Sequence, residues 1–128
     1  MDLLLDTHVF LWWDNSDRQL GAQSKALIGD AANRIFVSAA SVWEIAIKAQ
    51  SGRLGFAGSP SETITRNGFL PLPISGEHTE AAAKLPPIHK DPFDRILIAQ
   101  ALARSLVLVT ADHLIMQYDV PQLAARGV

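Results

Sequence analysis

Two apolar runs that each close on an aspartate decide the fold: Leu3-Leu4-Leu5-Asp6 at the start of the sequence, and Leu106-Val107-Leu108-Val109-Thr110-Ala111-Asp112 near its end. Both are short, continuous and followed by polar residues and then a helical pattern, which is how strands buried on both faces of a parallel sheet read. Ile35-Phe36-Val37 reads the same way. Around these strands, helical patterns are expected over residues 9–13, 24–32, 40–50, 61–66, 77–85, 92–105 and 113–118. Ser59-Pro60-Ser61-Glu62 carries the cap serine, first-turn proline and third-position glutamate of a capping box, and Gly52 suits a helix C-terminus. Pro86-Pro87 ends the helix before it, and prolines 71 and 73 make residues 69–74 an extended connection or an edge strand. The repeated βα pattern predicts a three-layer α/β/α domain with a mainly parallel central sheet.

The chain has 128 residues, which predicts one domain over 1–128. It has no cysteine, which excludes disulfides, thiolate zinc sites, iron–sulfur clusters and a thiol nucleophile, and fits a reducing compartment. The longest apolar run, Val9-Phe10-Leu11-Trp12-Trp13, is far too short to span a membrane. No signal peptide is readable after Met1-Asp2, so a soluble, cytoplasmic protein is expected. The formal charge of −2 argues against a grip on nucleic acid through bulk positive charge. Charged residues make up only 19%, against a usual ~25%, so part of the surface is expected to be apolar and to meet a second copy or a partner. The run of apolar residues 9–13 goes all the way round a short helix and points the same way.

In a parallel α/β sheet, ligands sit outside the carboxyl ends of the strands. Asp6 and Asp112 both fall there, although either one could be a plain turn or cap aspartate. Asp94 is more telling. In the helix opened by the cap Asp91 and Pro92, its neighbours three, four and seven residues on are Leu97, Ile98 and Ala101, so its carboxylate runs along an apolar face. Glu44 lies about 60 degrees outside the apolar arc of its helix, with Lys48 one turn on as a candidate surface partner. Its early position in the helix after residues 35–37 brings it to the same sheet edge. Four such carboxylates make a hard oxygen site suited to Mg²⁺ or Mn²⁺. A divalent ion there relieves their repulsion, activates a water and stabilises charge on a phosphate. Setting these four of the 13 acids aside leaves nine against 11 basic residues, so the rest of the chain is mildly favourable to phosphate.

The segments His89–Ala101 (HKDPFDRILIAQA), Leu3–Trp13 (LLLDTHVFLWW), Ser41–Lys48 (SVWEIAIK) and Leu108–Asp112 (LVTAD) together resemble the PIN-domain ribonucleases, and among them the VapC-type toxins of toxin–antitoxin pairs. The resemblance implies a Mg²⁺- or Mn²⁺-dependent endoribonuclease that leaves a 3′-hydroxyl and a 5′-phosphate on RNA. It also implies an antitoxin partner and a homodimer. It assigns Asp6, Glu44, Asp94 and Asp112 to catalysis, with Asp6, Asp94 and Asp112 as metal ligands. Ala111 stands where many members carry arginine, lysine or asparagine, which removes one phosphate contact.

Around the acids, Thr7 and Thr110 are candidates to orient a carboxylate or a water. His89, Lys90 and Arg95 are candidates for RNA phosphate contact. His8, His78 and His113 have no ligand spacing and read as surface residues. Two rivals remain. A noncatalytic metal- and RNA- or partner-binding module would share the fold without the chemistry. An aspartyl-phosphate phosphatase fits the LLLD opening, but its second aspartate, two residues on, is His8 here.

Overall fold

The computed structural model describes residues 1–126. Five strands form one sheet: β1 (Asp2–Leu5), β2 (Arg34–Ser38), β3 (Leu70–Leu72), β4 (Val107–Thr110) and β5 (Gln122–Ala124). Their order is β3-β2-β1-β4-β5 and every pairing is parallel. Leu5 is level with Val37 on one side and Val109 on the other. Six helices connect and cover the strands: α1 (Thr7–Asp14), α2 (Ala22–Gly29), α3 (Ala39–Gln50), α4 (Pro60–Arg66), α5 (Gly76–Ala83) and α6 (Pro92–Arg104).

The strands are apolar at successive positions because both faces are buried. Leu3, Leu5, Ile35, Val37 and Val109 point to one core with Val9 and Phe10 of α1, Ile28 of α2, Ile45 of α3 and Ile64 of α4. Leu4, Phe36 and Leu108 point to the other, with Leu97, Ile98 and Ala101 of α6. Helix ends follow local chemistry. Ser38, Ser59, Ser75 and Asp91 each accept a backbone N–H at the start of α3, α4, α5 and α6. Pro60 and Pro92 occupy first-turn positions, where a missing N–H costs nothing.

Three expectations are corrected. Residues 113–118 form only a 3-10 turn, Ile115–Gln117, because Asp112 caps the turn at Leu114 and Ile115 and the chain leaves at once for β5. The apolar arc assigned to α3 is rotated. Ala40, Ser41, Glu44 and Ile45 are buried, whereas Trp43 is 64% exposed. His78 is also buried, because its Nδ1 accepts the Ser75 N–H and completes a capping box. The aromatic residues of α1 largely find partners within the chain: Trp13 donates to Asn67 Oδ1 and packs beside Phe69, and the Arg126 guanidinium lies over Trp12.

Candidate functional site

The strand order reverses direction between β1 and β4, and chains leaving these two neighbours diverge to opposite faces. Asp6 ends β1 and Asp112 follows β4, so both stand at this switch point. Each is also a helix or turn cap. Asp6 Oδ1 accepts the Val9 N–H at 2.8 Å. Asp112 Oδ1 accepts those of Leu114 and Ile115 at 2.8 and 3.0 Å. Capping is what aims each of these two side chains at the switch point. The Thr110 hydroxyl stands between the two, accepting the Asp112 N–H at 3.0 Å and favouring the ionised form of Asp6. Thr7 instead donates to Ser41 Oγ at 2.9 Å and ties α1 to α3.

Asp94 reaches the same place from the first turn of α6. Between it and Asp112 stands His89, whose Nε2 lies 2.9 Å from Asp94 Oδ2 and 3.3 Å from Asp112 Oδ2. The other ring nitrogen, Nδ1, accepts the Asp91 N–H at 3.2 Å, which places the proton of the neutral ring on Nε2, facing the two acids. His89, Asp94 and Asp112 bring ligand atoms within 4.8 Å of one another, the one such group of three or more among the described residues.

Burial, with the charge of Asp91 next, pushes the Asp94 carboxyl up to about 7; Asp6 and Asp112 add to the rise and His89 opposes it. Asp6 is also raised, chiefly by burial, against the bonds from Thr110 and Val9. Asp112 is held below its usual value, because the N–H groups of Ile115 and Leu114, together with His89, outweigh its burial. Crowded oxygen donors of one charge, with one carboxyl pushed toward neutrality, are a donor set that fits a hard divalent cation.

The set differs from the one expected. Asp6 and Glu44 fall outside the 4.8 Å group, and His89, expected only at an RNA phosphate, is inside it. Asp6 adjoins through its charge on Asp94 and shares with Asp112 a cleft of about 220 Å³. Glu44 faces a neighbouring groove, buried, with Lys48 Nζ 2.7 Å from Oε2, because a carboxylate there demands a nearby cation. Its Oε1 has no hydrogen-bond partner.

Arg95 is corrected outright. Its guanidinium donates to the carbonyls of Ala82, Ala83, Leu85, Pro86 and His89, so it clamps the end of α5 to the loop that carries His89. Five donors in a fixed fork suit that task, and they leave little for a phosphate. Lys90 is exposed on the groove beside Glu44. The sequence reading also missed Arg126, which lines the Asp6–Asp112 cleft from beyond β5 and puts a cation in the cleft that Ala111 also lines. No local pattern marks it, since only the return of the chain after β5 brings it there.

The family model described as PIN domain matches residues 3–120. The chain belongs to the PIN domain family. Its fold is shared with a toxin–antitoxin complex from Klebsiella pneumoniae (18% identity, TM-score 0.68, covering 98% of this chain and 99% of that one). It is shared too with VapBC2 from Rickettsia felis bound to a promoter DNA fragment (14%, 0.65, 96% and 98%), and with FitAB bound to a DNA fragment (17%, 0.60, 100% and 97%). No curated protein matches the chain. As a PIN domain it carries its acids at the reversal of strand order, and none of its described helices is long and apolar enough to cross a membrane.

Proposed function

We propose that this PIN domain is an endoribonuclease dependent on Mg²⁺ or Mn²⁺ and the toxin of a cytoplasmic toxin–antitoxin pair, working as a homodimer held in check by its antitoxin. The observation that carries the reading is the convergence of Asp94 and Asp112 on one point at the switch of strand order, with Asp94 pushed up to about 7. The toxin–antitoxin assemblies that share the fold support the partner.

Asp94 and Asp112 would hold the cation, with Asp6 beside them, while the His89 Nε2–H stands between the two carboxylates as a donor. Bound there, a divalent ion supplies an activated water and charge compensation for the phosphate. The protein's own groups do the positioning. The Val9 N–H orients Asp6, and the N–H groups of Leu114 and Ile115 orient Asp112. His89 presents its Nε2–H to Asp94 Oδ2 at 2.9 Å and to Asp112 Oδ2 at 3.3 Å. Lys90 and Arg126 are the nearby cations for phosphate.

One observation favours the noncatalytic alternative: Glu44 is tied to Lys48 and lies apart from the cluster. A single experiment separates the two. Purified protein is incubated with total RNA in Mg²⁺, in Mn²⁺ and in excess EDTA. Cleavage in either metal that EDTA abolishes, and that Asp94→Asn also abolishes, supports the nuclease. Binding without cleavage, or equal cleavage with EDTA, overturns it.

A further inference from the structure

The loop over residues 84–91 joins α5 to α6 with no strand or helix of its own, yet it carries His89 into the acid cluster. Hydrogen bonds hold His89 there at three points. Its C=O accepts from Arg95 Nη1 at 3.0 Å, its Nδ1 accepts the Asp91 N–H, and its own N–H is donated to the Tyr118 hydroxyl at 2.8 Å. Arg95 and Asp91 belong to α6 and to the loop itself. Tyr118 comes from the other side of the site, on the segment that follows Asp112.

That segment is braced along its length. Asp112 Oδ1 accepts the N–H groups of Leu114 and Ile115, its C=O accepts that of Met116 at 3.1 Å, and Tyr118 donates its own N–H to the Ile115 C=O at 3.0 Å. The Tyr118 hydroxyl donates to the Pro86 C=O at 2.7 Å, accepts the His89 N–H, and accepts a longer bond from Arg95 Nη1 at 3.4 Å. Its one donor and two acceptor positions are thereby filled. Among the described residues, the only hydrogen bonds that tie residues 84–91 to residues 111–121 are the two at this hydroxyl from His89 and to Pro86, and the His89–Asp112 contact in the site. The ring itself is buried in the core that holds Leu97, Leu106 and Ile115. Phenylalanine would fill that place, and a hydroxyl there costs its desolvation unless its bonds are made.

From this junction we infer that Tyr118 is a positioning residue of the acid site: its hydroxyl fixes where His89 stands relative to Asp112, and through His89 the spacing at which Asp94 and Asp112 meet a cation. The His89 Nε2–H faces both carboxylates, so a shift of the loop moves the donor that aligns them. A small octahedral ion tolerates little such movement, since its oxygens must stand at about 2.0–2.1 Å in near-ideal geometry. Outer partners that orient metal ligands are worth about 10- to 100-fold in metal affinity or activity. This role rests on the cation reading of the cluster and adds to it a residue outside the cluster that sets its geometry.

The test is Mn²⁺ affinity, followed by the EPR signal of the free ion in the cold, well below melting, on wild type, Tyr118→Phe and Ile64→Val. Ile64 is buried in the core on the opposite face of the sheet, so its truncation loosens the fold away from the site. Both variants are expected to fold and to melt a few degrees below wild type without metal. Tyr118→Phe should in addition bind Mn²⁺ about 10-fold more weakly, whereas Ile64→Val should stay within about twofold of wild type. Equal Mn²⁺ affinity for Tyr118→Phe and wild type overturns the inference and leaves the cation reading standing. So does a loss in Ile64→Val as large as that in Tyr118→Phe, since stability alone then sets the affinity. A wild type that binds no Mn²⁺ overturns the cation reading, and this role falls with it.

Discussion

Replacing Asp94 with asparagine should stabilise the metal-free protein at alkaline pH. The folded carboxyl sits at about 7 against an ordinary 3.8, a gap of about 3 units, and at 1.36 kcal/mol per unit it sets a ceiling near 4 kcal/mol. A raised acid destabilises the fold when ionised. The cost is absent below pH 4, grows as pH rises from about 4 through 7 while only the unfolded chain has lost its proton, and is constant above. Partial exposure of the side chain lowers it to on the order of 2 kcal/mol. Asparagine keeps the shape, still accepts from His89 Nε2, and carries no charge. In EDTA at pH 8, Asp94→Asn should therefore melt above wild type, by roughly 5–10 °C for a chain of this size. At pH 4 the two should coincide. Adding Mg²⁺ to 100 times its Kd should return about 2.7 kcal/mol to wild type and less to the variant, reversing the order. Thermal melts from pH 4 to 9 at one ionic strength decide the matter. If Asp94→Asn melts below wild type throughout, with a parallel pH profile, Asp94 is a stabilising partner of His89 rather than a carboxylate crowded for a cation.

Three further outcomes follow from particular contacts. Asp91→Ala should cost about 1 kcal/mol in urea unfolding through loss of the α6 cap, while at least a tenth of RNA cleavage survives. Arg95→Lys should destabilise by roughly 2 kcal/mol or more, since one ammonium cannot serve the carbonyls that the fork holds; the salt dependence of RNA binding should not change. Lys48→Met should cost about 1–2 kcal/mol by leaving the buried Glu44 carboxylate unpaired, and adding Glu44→Gln should recover most of that in a double-mutant cycle.

The central strands were readable because they are buried on both faces, so Leu3-Leu4-Leu5 and Val107-Leu108-Val109 show as continuous apolar runs. Strand β5 was not, because Gln-Leu-Ala at a half-exposed edge has neither a run nor an alternation. That Asp6, Asp94 and Asp112 stand at one edge of the sheet was legible, since strand ends and a helix start fix where a carboxylate stands. Trp43 misled the reading of α3: a hydropathy pattern counts an indole as core, whereas this one meets Phe93 at the surface. His89 carried a faint signal, a loop histidine two residues before a cap aspartate, whose N–H turns the ring back toward Asp94. Arg95 sits next to Asp94 in sequence but a helix sends neighbours 100 degrees apart, so adjacency said nothing of its role.

The caps at Asp6 and Asp112 also bear on which ion the site prefers. Asp112 has Oδ1 occupied by two N–H groups and turns Oδ2 toward Asp94 and His89, and Asp6 has Oδ1 occupied by Val9. Both lone pairs of Asp112 Oδ1 are taken by its cap, so Asp112 can offer a cation only Oδ2 unless it gives up the cap, whereas Asp6 Oδ1 keeps one lone pair beside its single bond. Ca²⁺, which takes six to eight oxygens and readily binds carboxylates bidentately, gains little from such a set. A smaller octahedral ion that keeps several waters is served well by it. For the proposed site, the cap at Asp112 that helps build the fold would thereby also favour the smaller ion.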